Sequence, residues 1–385
     1  MVPFFDQDHA TLRERARKWV EEKLFSPREP EGMVHQRAVQ LVHDLGAEGF
    51  LKYTVPQAFG GIRNAVQARD LCILREELAR GDALADAMFA MQALGSHPIA
   101  LAGNELQKRN YLPNVAAGAA IAAFAITEPE AGSDVASMQT RAFREGSNFP
   151  ITGTKRFISN AGIADFYVVF ASTEPEKTAK GVSAFVVDAA TPGMVVKEQI
   201  EMLSPHPIGV IEFKNCVLDQ HALLGKAGEG LHVAFTTLDL LRCTVGAAAV
   251  GLAQRALDEA VQYSKARRQF GRAIAEFQGI EFKLADMVTE LEAARLLVYQ
   301  AAWAHDCAVG DDKLKSSMAK FYATEAAQRI VDQALQIHGA AGLIAGSIME
   351  RLYRDVRALR IYEGTSEIQQ VIVARELLKA TGNRQ

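Results

Sequence analysis

The spacing of hydrophobic residues changes twice along the chain, and this limits the possible folds more than any other feature. Over residues 8–118, apolar positions recur three and four apart, which predicts helices. Near Ala123, short runs rich in β-branched and aromatic residues begin, separated by Gly, Pro, Asn and Asp, which predicts strands. From Leu231 onward, long helical periodicity returns. The sequence therefore predicts an α+β, mainly α, fold with three domains, over 1–122 (helical), 123–230 (β) and 231–385 (helical).

Composition excludes several classes of protein. Half of the 385 residues, 49%, are hydrophobic, which is enough for sizeable cores. The formal net charge of −4 gives no electrostatic footprint for nucleic acid. The longest apolar run, residues 115–126, is too short and too rich in Ala and Gly to span a bilayer. We expect no nucleic-acid partner and no membrane insertion.

The four cysteines lack the spacing of a metal site or a disulfide framework. Cys72, Cys216, Cys243 and Cys307 are scattered, which is typical of buried thiols in a reducing compartment. Residues 1–9 carry two aspartates and lack the pattern of a signal or transit peptide. The expectation is a soluble cytoplasmic protein without a metal.

Residues 354–367, RDVRALRIYEGTSE, place one carboxylate just ahead of a helix. Ser366 and Gln369 have the spacing of a capping box, which predicts that the helix begins near Ser366. Gly364 allows a sharp turn before it, so Glu363 is expected to project from a constrained turn where a carboxylate can act as a base. The alternative is an ordinary exposed glutamate at a helix entry.

Familiar catalytic and nucleotide motifs are missing from the sequence. It has no G-x-G-x-x-G after a predicted strand, no G-x-S-x-G and no H-E-x-x-H.

In residues 82–94, Ala87, Ala90 and Leu94 share one helical face. Small residues on that face permit either close helix packing or room for a ligand chain.

Five separated runs carry a resemblance to a known family. They are FAITEPEAGSD at 124–134, KRFISN at 155–160, RRQFGRAIAEFQ at 267–278, QIHGAAG at 336–342 and IYEGTSEIQ at 361–369. In this order and spacing, they resemble the acyl-CoA dehydrogenase family over nearly the whole chain. The resemblance implies a β-barrel-like middle domain and a C-terminal four-helix bundle. It also implies FAD between the two, a homotetramer and an electron-transferring flavoprotein as partner.

The resemblance assigns site residues one by one. Glu363 matches the catalytic base, and in some relatives the base stands instead at the position of Leu241, which cannot serve. The residues expected to bind FAD are Phe124, Ile126, Thr127, Gly132, Phe157, Ser159, Arg267, Phe270, Gln278, Gln336, Gly339, Ala340, Thr365 and Glu367. The residues expected at the acyl-CoA are Ser133, Asp239, Arg242, Gly364, Ala87, Ala90 and Leu94. Without the resemblance, Asp239 and Arg242 are equally well explained as an ion pair on a helix face.

Some positions depart from the family pattern. Phe157 stands where the family often has tryptophan, which keeps a stacking surface and loses the indole donor. The segment 202–213, MLSPHPIGVIEF, lacks the usual Gly/Arg/Ser/Thr series and contains His206 between two prolines. Arg360 is charged and lies three residues before the base. The unusual segment leaves the usual fatty substrate open to question.

The resemblance implies oxidation of an acyl-CoA thioester to the trans-2-enoyl-CoA, with the electrons passed to an electron-transferring flavoprotein. Two alternatives stay open. One is a dehydrogenase of a cyclic acyl group, or of one tethered to a carrier protein, in a specialised pathway. The other is a non-catalytic protein that keeps the fold for interaction.

Overall fold

The computed structural model describes residues 4–25 and 33–382. The first three residues of the N-terminal segment considered above lie outside this range. The chain divides into two compact units, each built from separate segments. A helical unit comprises the described parts of 1–27, 67–86 and 239–385, and a sheet unit comprises those of 28–66 and 87–238.

The described residues form ten α-helices. Their bounds are α1 Gln7–Lys23, α2 Val34–Ala47, α3 Ala68–Gly81, α4 Ala83–Ala102, α5 Glu105–Ala116, α6 Gly230–Ala266, α7 Gln278–Asp306, α8 Asp312–His338, α9 Ile348–Ala358 and α10 Ser366–Gly382. In the helical unit, α1 packs on α3, α3 on α7, and α8 contacts α7, α9 and α10. The helices expected from the apolar spacing are confirmed.

The strands of the sheet unit form one eight-stranded sheet. They are β1 Ala122–Ala125, β2 Arg141–Ala142, β3 Asn148–Ser159, β4 Phe166–Ser172, β5 Val182–Asp188, β6 Met194–Gln199, β7 Ile208–Asp219 and β8 Leu223–Leu224. The strand order is β6-β7-β3-β2-β4-β5-β8, and β1 pairs in parallel with β4. In the helical unit, β9 Arg268–Gln269 and β10 Arg272–Ala273 form a short antiparallel hairpin. Helices with a sheet in the middle of the chain confirm the α+β class.

The core of the sheet unit lies at β4. Every residue of β4 and β1 is buried, because their sequences, FYVVFAS and AAFA, are apolar on both faces. By contrast, β6 has one buried residue at its start and is exposed afterwards. The apolar character of each strand therefore matches its place in the sheet.

The long helix α6 contains an extended apolar window. Among the described residues, it alone is long and apolar enough to cross a membrane, but 78% of its apolar window is buried inside the protein. A Cβ atom at Gly251 would lie 2.1 Å from the carbonyl oxygen of Glu76, so only glycine allows α6 to approach α3 this closely. This burial is that of a core helix.

Two local expectations were wrong. The side chain that caps α10 is Thr365, whose Oγ1 accepts a hydrogen bond from the Ile368 amide at 3.3 Å; Ser366 instead donates to Glu325. Gln369 does not complete a capping box, since its amide donates to carbonyls of the preceding turn. Cys307 is exposed because it stands at the C-terminal end of α7, whereas the other three cysteines are buried.

Candidate active site

The turn between α9 and α10 presents Glu363 in an unusual backbone conformation. Glu363 has φ +52° and Gly364 has φ +88°, so two successive residues are left-handed. This region is disfavoured for a residue with a side chain and is held only where neighbouring contacts require it. Gly364 is required for a second reason, since a Cβ there would lie 2.6 Å from Nε2 of Gln369. The constrained turn expected from the sequence is present.

Two side chains from neighbouring helices bind the carbonyl groups of this turn. Lys320 of α8 donates from Nζ to the carbonyl oxygens of Tyr362, at 3.0 Å, and of Gly364. Gln369 of α10 donates from Nε2 to the carbonyl oxygens of Glu363 and Gly364, at 3.3 and 3.0 Å. The main chain on both sides of the glutamate is thereby attached to two helices.

The carboxylate of Glu363 lacks the partner that a buried charge normally has. The residue is half-buried, and its Oε2 atom is shielded from solvent with no hydrogen-bond partner among the described residues. Burial raises the pKa of the Glu363 carboxyl above its ordinary value. The charges of Arg75, Lys320 and Arg242 lower this pKa without cancelling the effect of burial, and Asp86 raises it further. The exposed-glutamate alternative is therefore not supported.

Arg75 and Asp86 form a fixed charge pair near this carboxylate. Arg75 Nε and Nη2 donate to the two carboxylate oxygens of Asp86 at 2.8 and 2.9 Å, and Nη1 donates to Thr244 Oγ1 at 2.9 Å. The Arg75 side chain is buried, and a bidentate pair of this kind fixes its orientation. The guanidinium can therefore act on Glu363 through its charge without moving.

Asp239 and Arg242 share a face of α6, as their spacing predicts. Arg242 Nη1 donates to Asp239 Oδ1 at 2.6 Å, and Lys313 lies 3.5 Å from the other oxygen of Asp239. Arg242 is buried, and its Nε has no hydrogen-bond partner in the described part of the chain. A buried donor left unpaired is what a ligand acceptor would satisfy.

Arg360 pairs with a carboxylate of α8. Its Nε donates to Glu325 Oε1 at 2.7 Å, and Ser366 Oγ donates to the same oxygen at 2.6 Å. The Ser366 amide also donates to the Arg360 carbonyl. Arg360 therefore joins the start of α10 to α8.

In the sheet unit, a β-bulge exposes an aromatic ring. β3 pairs with β7 at Lys155 and resumes at Ile158, so Arg156 and Phe157 both lie opposite Val210. Phe157 has φ +57°, and its ring is 47% exposed with the Arg156 guanidinium 5.0 Å from its centre. Bulges of this kind redirect a side chain, and they are frequent beside active sites.

The other sequence-predicted residues of the sheet unit lie around β1 and α4. Phe124 and Ile126 are buried, with the Phe124 ring 4.8 Å from that of Phe170. Thr127 is half-buried, while Gly132 and Ser133 are exposed. On α4, Ala90 and Leu94 are buried and Ala87 is half-buried.

His206 fixes the hydroxyl of Ser159. Nδ1 of His206 donates to the Ser204 carbonyl at 3.0 Å, and burial lowers the histidine pKa, so the ring is neutral near pH 7. Nε2 then accepts the Ser159 hydroxyl hydrogen at 3.2 Å. The lone pairs of Ser159 Oγ remain available to accept a hydrogen bond from a ligand.

The predicted cofactor residues of the helical unit are mostly exposed. Thr365 is half-buried, and the exposed residues are Arg267, Phe270, Gln278, Gln336, Gly339, Ala340 and Glu367. Phe270 is 94% exposed with φ +50°, at the turn of the β9–β10 hairpin. A Cβ atom added at Gly339 would meet no other atom within 4 Å. These residues have room for a ligand, and their roles stay predictions.

Three sequence profiles match consecutive parts of the chain. They describe the N-terminal, middle and C-terminal domains of acyl-CoA dehydrogenases and cover residues 6–119, 123–216 and 228–378. The chain belongs to the acyl-CoA dehydrogenase family. It is accordingly an oxidoreductase that acts on acyl-CoA. The exact domain boundaries expected from the sequence stay predictions.

Curated relatives in this family include dehydrogenases and reductases. An acyl-CoA dehydrogenase of Bacillus subtilis is 39% identical over 97% of this chain and 99% of its own length. A 3-(aryl)acrylate reductase of Clostridium sporogenes is 39% identical over 98% and 100%. Subunit CarC of the caffeyl-CoA reductase-Etf complex of Acetobacterium woodii is 37% identical over 98% and 100%.

Solved structures of the family support the cofactor. Butyryl-CoA dehydrogenase from Megasphaera elsdenii has a TM-score of 0.90 and 32% identity, covering 97% of this chain and 99% of its own. An acyl-CoA dehydrogenase from Bacillus anthracis complexed with FAD has a TM-score of 0.89 and 29% identity, covering 100% and 69%. The protein is an FAD-dependent flavoprotein.

The residues of the sheet unit fit a flavin. The exposed ring of Phe157 offers a flat apolar surface, and the Ser159 hydroxyl has free acceptor capacity two residues away. The half-buried Thr127 adds a further hydroxyl near the end of β1. A planar ring system with a polar edge needs this combination of groups.

Sequence reasoning missed three functional candidates. Lys320 and Arg75 were not singled out, because a lone charged residue in a helix gives no sign of burial. Gln369 was assigned to a cap instead of the turn. Helical periodicity gives the only signal: Lys320 lies between apolar positions on α8, where a charged residue is rare unless it has a role.

Proposed function

We propose that this protein catalyses the FAD-dependent α,β-dehydrogenation of an acyl-CoA thioester to the trans-2-enoyl-CoA, with Glu363 as the base. The observation that carries the proposal is the Oε2 atom of Glu363, which is shielded from solvent and unpaired in the described structure. A carboxylate oxygen without a partner is free to accept a proton from a substrate. The left-handed turn that carries Glu363 is held in place by the Lys320 and Gln369 side chains.

The protein's part in the reaction is to move the proton on Cα of the substrate. Glu363 accepts this proton at Oε2, and its raised pKa brings the base closer to neutrality, where general-base catalysis is most effective. The charges of Arg75 and Arg242 favour the ionised form before the reaction. FAD, when bound, supplies the acceptor for the hydride that leaves Cβ. Loss of both hydrogens gives the enoyl thioester.

The remaining assignments extend this proposal. Arg242, with its unpaired Nε, and Asp239 would bind the coenzyme A portion. Ala87, Ala90 and Leu94 would border the acyl chain. Relatives in Etf-associated complexes support an electron-transferring flavoprotein as the electron acceptor. A cytoplasmic homotetramer is the form in which we expect the enzyme to act.

A second candidate function is the reverse reaction, reduction of an enoyl-CoA. The names of the relatives from Clostridium sporogenes and Acetobacterium woodii favour it, since both are reductases. The same carboxyl group would then deliver a proton to Cα, because the two directions pass through one transition state. Anaerobic mixing distinguishes the directions: the oxidised enzyme is tested with acyl-CoAs and the reduced enzyme with enoyl-CoAs.

The substitution Glu363→Gln tests the base directly. The amide keeps the size of the side chain and removes its basicity, so the variant should fold and bind FAD. The rate of flavin reduction by an acyl-CoA should fall by about 10² to 10⁴ or more, the usual cost of removing a general base. Stopped-flow absorbance of the flavin band under anaerobic conditions measures this rate.

The matched control is Glu376→Gln, the same change farther along α10. Glu376 pairs with Lys379 at 2.7 Å, outside the site, and its variant should keep the unmodified rate. A Glu363→Gln rate within about tenfold of the unmodified enzyme would show that another group is the base. The non-catalytic alternative is not supported, because the chain belongs to a family of acyl-CoA oxidoreductases.

A further inference from the structure

The three carbonyl groups around the base all point toward hydrogen-bond donors from other helices. Those of Tyr362 and Gly364 accept from the Lys320 ammonium, and those of Glu363 and Gly364 accept from the Gln369 amide. The two carbonyl oxygens that reach the ammonium, those of Tyr362 and Gly364, create a negative potential there, which an ammonium group satisfies better than a neutral donor. A cation thus bonds to the main chain on both sides of Glu363.

Lys320 is unusual among buried lysines in what it contacts. Its side chain is fully buried, yet within residues 4–25 and 33–382 its ammonium bonds to main-chain carbonyl groups and forms no ion pair with a carboxylate. A buried ammonium that bonds only to main-chain carbonyl groups, with its counter-charges farther away, is costly and is rarely found without a function. Its positive charge also acts on the Glu363 carboxylate and favours the ionised form.

We propose that Lys320 is the positioning residue of the base: its ammonium holds the main chain on both sides of Glu363, and its charge favours the ionised carboxylate. The inference rests on the proposed function of Glu363. Lys320 acts through the turn and through space, without contact with the reacting atoms. Gln369 completes the attachment from the other helix.

Other charged groups also act on Glu363 and on Lys320, so the test must separate the effect of Lys320 from theirs. Those acting on Glu363 are Arg75, Lys320, Arg242 and Asp86. Those acting on Lys320 are Glu363, Arg242, Glu325 and Glu367. Burial lowers the pKa of Lys320 to about 8. Lys320 therefore carries its charge throughout the acid and neutral range in which Glu363 ionises.

Three substitutions separate the two effects of the lysine. Lys320→Met removes both the donor and the charge, Lys320→Gln keeps a donor without the charge, and Lys320→Arg keeps the charge. Lys315→Met is the matched control, since Lys315 lies on the same helix and donates to the Gly310 carbonyl at 2.9 Å. Each variant is purified as the holoenzyme. Flavin content, thermal unfolding and the anaerobic rate of flavin reduction are measured across pH.

The expected results differ among the variants. Lys320→Met should reduce the limiting rate by about 10- to 100-fold, the scale of a small misplacement of a catalytic group. In Lys320→Met and Lys320→Gln, the midpoint of the acid limb should rise by about one pH unit, because an opposite charge no longer favours the carboxylate. Lys320→Arg and Lys315→Met should keep the midpoint of the unmodified enzyme.

Two results would overturn the inference. One is an acid midpoint in Lys320→Gln equal to that of Lys320→Arg, which would show that the charge does not act on the base. The other is a limiting rate in Lys320→Met equal to that of Lys315→Met. If Lys320→Met does not fold, the Gln and Arg variants still decide the effect of the charge. Retained flavin reduction in Glu363→Gln would instead refute the proposed function, so the two failures are distinguishable.

Discussion

Two buried lysines, Lys320 in the helical unit and Lys155 in the sheet unit, carry the same charge but bond to different partners. Both side chains are fully buried, and burial lowers the pKa of each to about 8. Lys155 donates to Glu128 Oε1 at 2.8 Å and to the Ile126 carbonyl at 3.1 Å. Lys320 donates to carbonyl groups of the Glu363 turn.

The carboxylates beside these lysines show what the difference means. At Glu128, burial acts to raise the pKa, but Lys155 and the amides of Thr140 and Gln139 outweigh it and hold the pKa below its ordinary value. At Glu363, burial is not outweighed, and the pKa is raised. A carboxylate bonded directly to its cation stabilises structure, whereas one left unpaired retains its basicity.

The largest expected effect is the loss of stability in Glu128→Gln. This change leaves Lys155 buried without a counter-charge and should lower the free energy of unfolding by about 3–5 kcal/mol, as for other broken buried pairs. Glu363→Gln removes no partner and should change that free energy by less than about 1 kcal/mol. Urea unfolding of both variants, followed by circular dichroism, measures the contrast.

A double variant serves as the control for that pair. Replacing Lys155 by Met together with Glu128 by Gln removes both charges and keeps an oxygen that can accept from the Gln139 and Thr140 amides. Removing both members of a buried ion pair costs less than removing one, which leaves a charge uncompensated. The double variant should therefore be more stable than Glu128→Gln. Equal destabilisation by Glu128→Gln and Glu363→Gln would remove the distinction between the two regions.

The second expected effect is a pH range in which activity is lost while the fold persists. Because the folded pKa of Glu363 lies above 4.5, the rate should fall about tenfold for each pH unit below that pKa. The folded pKa of Glu128 lies below 4.5, so its contribution to stability is present above the ordinary value and is lost only as pH falls through the folded value. Near pH 4.5, the enzyme should therefore be folded and slow.

The rate of flavin reduction and thermal unfolding, measured in the same series of buffers, test whether activity is lost at a pH where the protein is still folded. The reaction should recover fully when the sample is returned to neutral pH, because the fold has not been lost. Unfolding at the same pH as the loss of rate would mean that the two carboxylates titrate together, contrary to the comparison.

The smallest expected effect concerns the helix that carries Gln369. Thr365 caps α10, and Thr365→Ala should lower the free energy of unfolding by about 1 kcal/mol, the usual contribution of a threonine cap. Urea unfolding again measures the change. An unaltered unfolding curve would show that the hydroxyl does not stabilise the start of α10, and that the Lys320 and Gln369 contacts fix the turn without it.

Much of the fold followed from local patterns. The periodicity over 68–79 became α3, Ala68–Gly81, and the apolar run at 166–170 became β4, Phe166–Ser172. The Tyr-Glu-Gly-Thr sequence gave a constrained turn with Glu363 at its centre. Such features depend on neighbours a few residues apart, which the sequence displays directly. The cap of α10 was misassigned because Thr365 and Ser366 are adjacent and chemically alike.

The sequence by itself determined the alternation of helices and strands, the family and the identity of the candidate base. Only the tertiary structure decided that Oε2 of Glu363 has no hydrogen-bond partner among the described residues and that Lys320 donates to carbonyl groups of its turn. The charges acting on Glu363 come from Arg75 on α3, Arg242 on α6 and Lys320 on α8, which are far apart in the chain. The pKa of a carboxyl group depends on burial and on distances to charges, and these exist only once the helices have packed together.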